Sequence, residues 1–281
     1  MVEAPRIRII YEKINFTKNK KIIAASGPTY KKIGVDMVGY TIRKWWFAGK
    51  YIYTYIIKKT SPSYVIRTHM LMYGKILLNE KPFNPKLKPF LVLELSDGNT
   101  LSWYLSQIKL LDPKCTIDEI KSNYTSENSN ICSSKQAIND SIIMMQYDVS
   151  NKAFNLNKYM PYLESGIKLH HNDIMVDFLL NQKYFPGVGN ILQQEALYRC
   201  RILPITKVSN IQFDQLNCLV TELKNVIQLL YKSYLDKLEN KPRQPILQIY
   251  HKKYCPLGHK TETKYLGFRH RRTTWCPICQ I

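Results

Sequence analysis

The cysteine and histidine spacing near the C-terminus constrains this chain more than any other feature. Cys255-Pro-Leu-Gly-His259 is followed, sixteen residues later, by Cys276-Pro-Ile-Cys279. Three residues lie within the first pair and two within the second, the spacing of two short metal knuckles that face each other. Zinc takes four ligands in a tetrahedron, drawn from thiolate and imidazole. With all four positions filled by the protein, a zinc here is structural and has no open position for catalysis. Between the knuckles runs Arg269-His270-Arg271-Arg272. The stapled loop therefore carries a cationic tip, and planar guanidinium groups suit a phosphate.

Charge points the same way. The 281 residues hold 41 Lys and Arg against 21 Asp and Glu, a net +20. A field of that size favours a polyanion: nucleic acid first, an anionic membrane surface second. A hydrophobic content of 45% with 12% aromatics is that of a folded protein rather than a disordered one. No apolar run reaches the roughly 18 residues of a membrane span, and the start Met1-Val2-Glu3-Ala4-Pro5 has no signal-peptide apolar region. Of seven cysteines, three belong to the knuckles; Cys115, Cys132, Cys200 and Cys218 are scattered, and the odd total leaves no tidy pairing. An intracellular, reducing compartment fits, the nucleus or wherever the genome is kept.

The chain changes texture along its length. Pro5 suits the first turn of a helix, and Ile7, Ile10 and Ile14 then share one face at helical spacing. From about Val35 to Leu111 the segments 51–57, 64–72 and 90–95 are rich in β-branched and aromatic residues, with turn signals between them. These predict an antiparallel sandwich or barrel. Residues 121–134 are rich in Ser and Asn, which suggests a linker or insertion. Helical spacing returns over 155–163, 173–181, 190–199 and 213–232, with Asp173 and Asn190 as candidate N-caps. The expected organisation is an N-terminal helix and β domain over 1–115, a linker over 116–150, a helical domain over 151–250 and a zinc finger over 251–281.

Within the helical region, Phe178 to Leu197 reads as helix, tight glycine turn (Pro186-Gly187-Val188-Gly189), then helix. Backbone N–H groups of such a turn, at a helix N-terminus, offer a phosphate site. Together with the finger ending Trp275-Cys-Pro-Ile-Cys-Gln280, this segment resembles the helix–two-turns–helix of the formamidopyrimidine/endonuclease VIII family of DNA glycosylases. The resemblance covers nearly the whole chain and fades over about 112–150. The His259 ligand and the Val2-Glu3 start look like the vertebrate endonuclease VIII-like branch. The fold implied is α+β: a helix and antiparallel β-sandwich, then a helical domain with the helix–two-turns–helix motif and a β-hairpin zinc finger.

The resemblance also implies a chemistry. The attacking group is the α-amine exposed when Met1 is removed, here that of Val2. An α-amine titrates near about 7.7–8.0, so on the order of a tenth is neutral at pH 7. A neutral amine can attack C1′ of a damaged nucleotide and form a Schiff base. Glu3 is then the general acid/base. The turn Gly49-Lys50-Tyr51 matches the family's phosphate-contacting lysine, which makes Lys50 a third catalytic candidate. His69 matches a phosphate-contacting histidine, and Met72 the side chain that fills the gap left by an extruded base. Asn190 matches the hinge asparagine on phosphate. Arg271, five residues before Cys276, matches the finger arginine on DNA, with Arg272 as the alternative. The metal ligands are Cys255, His259, Cys276 and Cys279.

One pattern is missing. Family members carry an Arg-Phe-Gly triplet after a late strand of the β domain, whereas Leu101-Ser-Trp-Tyr-Leu-Ser-Gln-Ile-Lys109 has none. Selectivity for the base opposite a lesion should therefore weaken, and single-stranded DNA should serve as well as duplex, because extrusion costs least where no pair must break. The expectation is a monomeric DNA-repair glycosylase and abasic-site lyase. It would excise oxidised pyrimidines and hydantoins and nick the strand by elimination, with structural zinc and damaged DNA as partner. The alternative is a non-catalytic zinc-finger protein that binds damaged DNA; a ribosome-associated RNA-binding factor with a similar hinge is more distant.

Overall fold

A computed structural model describes residues 2–82, 84–112, 134–242 and 245–281. Of the linker expected over 116–150, residues 116–133, with Cys132, lie outside the described residues, as does Cys115. The chain divides into two compact units, one of Val2 with Ile7–Ile143 and one of Glu3–Arg6 with Met144–Ile281.

In the first unit, helix α1 (Ala4–Ile14) has Pro5 in its first turn, where a missing N–H goes unnoticed. Ile7 and Ile14 are fully buried and Ile10 packs at the margin of the same cluster. Strand β1 (Ile22–Ser26) and a short helix α2 (Pro28–Ile33) follow, so strand structure begins earlier than the Val35 expected from composition. The remaining strands are β2 (Thr41–Ala48), β3 (Tyr51–Lys58), β4 (Ser61–His69), β5 (Lys75–Leu78), β6 (Leu91–Leu95), β7 (Thr100–Tyr104) and β8 (Gln107–Leu111). They form two four-stranded sheets, β1-β6-β7-β5 and β2-β3-β4-β8, in which every pairing is antiparallel. Alternation produces the sandwich core: Leu91, Leu93 and Leu95 of β6 are fully buried while Glu94 is exposed. Strand β4 stops at His69, short of the expected 72, because Leu71 takes a left-handed φ of 47° that no ladder accommodates.

Helix α3 (Ser134–Tyr147) falls within the segment expected as a linker. The second unit continues with α4 (Leu156–Leu169), α5 (Met175–Leu179), α6 (Asn190–Arg199) and α7 (Phe213–Leu238). Asn155 caps α4, its side chain accepting from Lys158 N–H. The two expected caps are displaced: Ile174 and Gly189 hold the N-cap positions of α5 and α6, Asp173 instead pairs with His170, and Asn190 is the first residue of its helix. Leu192 to Tyr198 are buried on all sides of α6, so that helix shows no amphipathic stripe. The finger is the hairpin β9 (Glu262–Leu266) and β10 (Arg271–Trp275). Cys200 and Cys218, which sequence spacing left unpaired, are joined in a disulfide between the end of α6 and α7, with their Cα atoms 5.8 Å apart.

Candidate functional site

In the first unit the antiparallel register decides what surrounds the β2–β3 turn. Gly49 takes φ 58° in that turn, the left-handed region glycine tolerates, and Lys50 follows it. Tyr51 then pairs with His69 across β3 and β4, and their rings lie 4.8 Å apart. Burial lowers the His69 pKa, and the charges of Lys50 and Arg67 lower it further. His69 Nδ1 accepts from Leu71 N–H, so the neutral ring keeps its proton on Nε2, as a donor. The Val2 nitrogen donates to the Leu71 carbonyl at 3.4 Å. Val2 and His69 thus meet at the turn that follows β4, and the charge of Lys50, in the β2–β3 turn, acts on His69.

That turn exposes three large apolar side chains. Met72 is 51% exposed and Tyr73 68%, with Leu71 beside them. Sequence reasoning named Met72 alone; the left-handed turn that lifts Leu71 and Tyr73 out with it leaves no periodic signal. The missing triplet has a structural counterpart. Strands β7 and β8 are joined through Leu105 and Ser106 only, with Leu105 at φ 48°, so no loop exists there to carry wedge side chains.

In the second unit α6 organises the candidate residues. Glu3 is 5% exposed, and its carboxylate accepts from Ile191 N–H at 3.0 Å and Leu192 N–H at 3.2 Å. These are donors that a helix leaves orphaned in its first turn, and the positive end of the dipole favours an anion there. The N-terminus expected to bind phosphate therefore holds Glu3 itself. Gly189 makes the approach possible, since a Cβ there would come within 2.4 Å of the Glu3 carboxylate.

Asn190 and Gln194, one turn apart, bind the finger strand. The Asn190 amide donates to the Arg272 carbonyl at 2.9 Å. Gln194 donates to the same carbonyl at 3.1 Å and accepts from Thr274 N–H at 2.9 Å, so its side chain acts as a peptide group on the edge of β10. Asn190 is accordingly engaged with β10 backbone. Arg271 is half-buried at the start of β10 and Arg272 is exposed beside it. Glu195, fully buried, accepts N–H bonds from Gln248, Ile249 and Tyr250 at 2.9–3.0 Å and fixes the segment that enters the finger. Gln194 and Glu195 had no role assigned from sequence; their positions in the Gln193-Gln-Glu-Ala-Leu197 run were the available signal. Asp177, in the first turn of α5, was also missed. It is 7% exposed and its Oδ2 accepts from Phe268 N–H at 3.2 Å.

The four knuckle residues converge. One ligand atom from each of Cys255, His259, Cys276 and Cys279 lies within 4.8 Å of the others. Cys255 Sγ and Cys279 Sγ are 3.9 Å apart, against about 3.8 Å for a tetrahedron with bonds of about 2.3 Å. His259 turns its Nδ1 to the Cys279 Sγ at 3.2 Å. Burial pushes the Cys255 thiol up, but the backbone N–H groups of Leu257 and His259 together with the Tyr198 and Cys276 side chains outweigh it and bring the pKa down to about 6. A thiolate donor set of this size and shape fits zinc.

Comparison with known proteins identifies the family. Residues 150–233 match the helix–two-turns–helix domain of formamidopyrimidine-DNA glycosylase. An endonuclease 8-like protein of Acanthamoeba polyphaga mimivirus is 54% identical over 281 residues, the whole of both chains. The mouse endonuclease 8-like 2 is 39% identical over 105 residues, 36% of this chain and 30% of that protein. Among solved structures, a viral DNA glycosylase superposes with a TM-score of 0.90 at 52% identity over all of both chains. The Lactococcus lactis formamidopyrimidine glycosylase, bound to DNA containing an abasic site, shares the fold at a TM-score of 0.71 and 18% identity, with 99% of each chain covered. The chain belongs to the formamidopyrimidine/endonuclease VIII family of DNA glycosylases.

Proposed function

We propose that this chain is a bifunctional DNA glycosylase and abasic-site lyase that works through the α-amine of Val2 once Met1 is removed. The amine attacks C1′ of the damaged nucleotide, the base leaves, and the nitrogen–carbon bond becomes a Schiff base as the sugar ring opens. Glu3 is the general acid/base that delivers and removes the protons of ring opening. The protonated imine draws electrons from C2′ after loss of its proton, the 3′ phosphate leaves by elimination, and water releases the product. Valine gives an imine that must be protonated before it acts as an electron sink, so elimination is slower than with a secondary amine. Lys50 and the His69 Nε2–H serve as phosphate donors, Met72 fills the gap left by the flipped base, and Asn190, Arg271 and Arg272 engage the DNA strand. Zinc on Cys255, His259, Cys276 and Cys279 holds the finger in shape. Oxidised pyrimidines and hydantoins are the proposed lesions. The enzyme acts as a monomer on single-stranded and duplex DNA wherever the genome is kept; the Cys200–Cys218 disulfide counts against the strictly reducing compartment that scattered cysteines suggested.

The observation that carries this reading is Glu3: a carboxylate buried on the first N–H groups of α6, one peptide bond from Val2. Glu195 and Asp177 are buried on backbone N–H groups in the same way and serve the fold alone; what sets Glu3 apart is its place next to the Val2 amine. Borohydride trapping on an oligonucleotide with an abasic site is the test, with intact-mass measurement of the N-terminus alongside. Protein lacking Met1 should form a covalent adduct through Val2. Failure to do so would leave the non-catalytic binding protein as the answer.

A further inference from the structure

The tip of the finger hairpin is pinned at its backbone and open at its aromatic side chain. Leu266 pairs with Arg271, so Gly267, Phe268, Arg269 and His270 form the turn. Gly267 and His270 are left-handed, at φ 70° and 44°. The buried Asp177 accepts the Phe268 N–H, and a Cβ on Gly267 would come within 2.3 Å of Asp177 Oδ1. The backbone at this tip therefore has one defined seat against α5. The Phe268 side chain does not use it: the residue is 69% exposed, and the Arg269 guanidinium lies 5.2 Å from the ring centroid. A turn needs no phenylalanine, and burying an aromatic ring is among the larger gains a side chain can make. Here the ring is held out in solvent by a fixed main chain, within the cationic run Arg269-His270-Arg271-Arg272.

We propose that Phe268 is a stacking surface for an unpaired base of the bound strand. This rests on the reading of the chain as a DNA-acting enzyme. Cationic grooves joined to exposed aromatics are how proteins hold single strands, since every base offers a π-face whatever its sequence. The run from Arg269 to Arg272 supplies the charge for the phosphates, which settles the occupant as a nucleic acid strand rather than an apolar protein segment. The Arg269 guanidinium against the ring adds a cation–π component to the same surface. In duplex DNA the bases are already stacked on their neighbours, so the contribution belongs to single-stranded or opened DNA.

The test uses the full zinc-loaded chain with Phe268→Ala and Phe268→Trp. Zinc content and thermal unfolding of each variant establish that the finger is intact. Affinity is measured for a single-stranded oligonucleotide, for the same sequence as duplex, and for an oligomer of equal length built of abasic deoxyribose phosphates. Phe268→Ala should weaken binding to the base-bearing single strand about 10-fold and leave the abasic oligomer and the duplex within about twofold. Phe268→Trp should restore the single-strand affinity. An equal loss on the abasic oligomer, or no loss on any strand, overturns the proposal. Borohydride trapping by the unsubstituted protein tests the catalytic reading separately, so the two cannot fail as one.

Discussion

At the scale of single residues, Glu3 and Asp177 show two fates of a buried carboxylate. Glu3 sits on two orphan donors of α6 and depends on Gly189 for room. Gly189 has an ordinary extended φ of −129°, so Gly189→Ala leaves the backbone unstrained and acts by displacing the Glu3 carboxylate. Misplacing a reacting group by about 1 Å can cost about 100-fold. Strand-cleavage rates of Gly189→Ala should fall by roughly that factor, with the helical fold retained by circular dichroism. Asp177 is less well compensated. Burial raises its pKa from the ordinary 3.8, and the N–H groups of Phe268 and Arg269 only partly oppose this. A raised carboxyl pKa means the folded state holds its proton longer than the unfolded chain. The associated stability is present below pH 3.8 and is lost as pH rises through the raised value. Asp177→Asn keeps an acceptor for Phe268 N–H and never ionises. Its melting temperature should equal or exceed that of the unsubstituted protein at pH 7, and the gap should close as pH falls towards 4. A destabilised Asn variant at pH 7 would show that the ionised form is what the turn requires.

At the scale of elements, α6 and the finger form one device. The helix offers its first N–H groups to Glu3, its Asn190 and Gln194 amides to β10, and its Glu195 carboxylate to the segment before the finger. The knuckles close the far side, where Cys255 and Cys276 pack with Tyr198 and Ile249. Ligand binding free energy is folding free energy for a loop this small. One zinc per chain is expected by elemental analysis. Chelation should abolish hydrogen-exchange protection across β9 and β10 and weaken DNA binding at least 10-fold, while the sandwich amides of β3 and β4 stay protected. Gln194→Ala tests the helix side. It strips the partner from the buried Thr274 N–H, a loss on the order of 1–3 kcal/mol, read as a lower melting temperature of the zinc-bound protein.

At the scale of the whole molecule, charge and the short β7–β8 connection govern how DNA is engaged. A net charge of +20 makes association depend on counterion release, so log affinity should fall linearly with log salt. The two-residue join through Leu105 and Ser106 offers no loop to fill the space beside an orphaned base, so under the proposed function the exposed Leu71, Met72 and Tyr73 would be the wedge. Excision of an oxidised pyrimidine from single-stranded DNA should therefore match or exceed the rate from duplex at equal salt. The identity of the opposite base should change the duplex rate by less than about 10-fold. A strict duplex requirement would contradict this.

What the amino-acid sequence determined by itself was whatever depends on local order. Ligand spacing set the Cys and His cluster of the finger, β-branched and aromatic runs set the sandwich strands, and glycines set the turn before α6, whereas the roles proposed for Val2, Glu3, Lys50 and Arg271 rest on family resemblance. What the tertiary structure alone decided was which groups satisfy one another across long sequence separations. The register of β3 on β4 put Tyr51 against His69 beside Lys50. Glu3 reached the α6 N-terminus across 188 residues, Asp177 reached the finger tip across 91, and Cys200 found Cys218. The Glu3, Asp177 and Cys200 pairings leave no periodic trace, because each is a polar or sulfur contact between isolated positions. Such a contact is favourable only once packing has excluded water around it, and packing is a property of the folded chain.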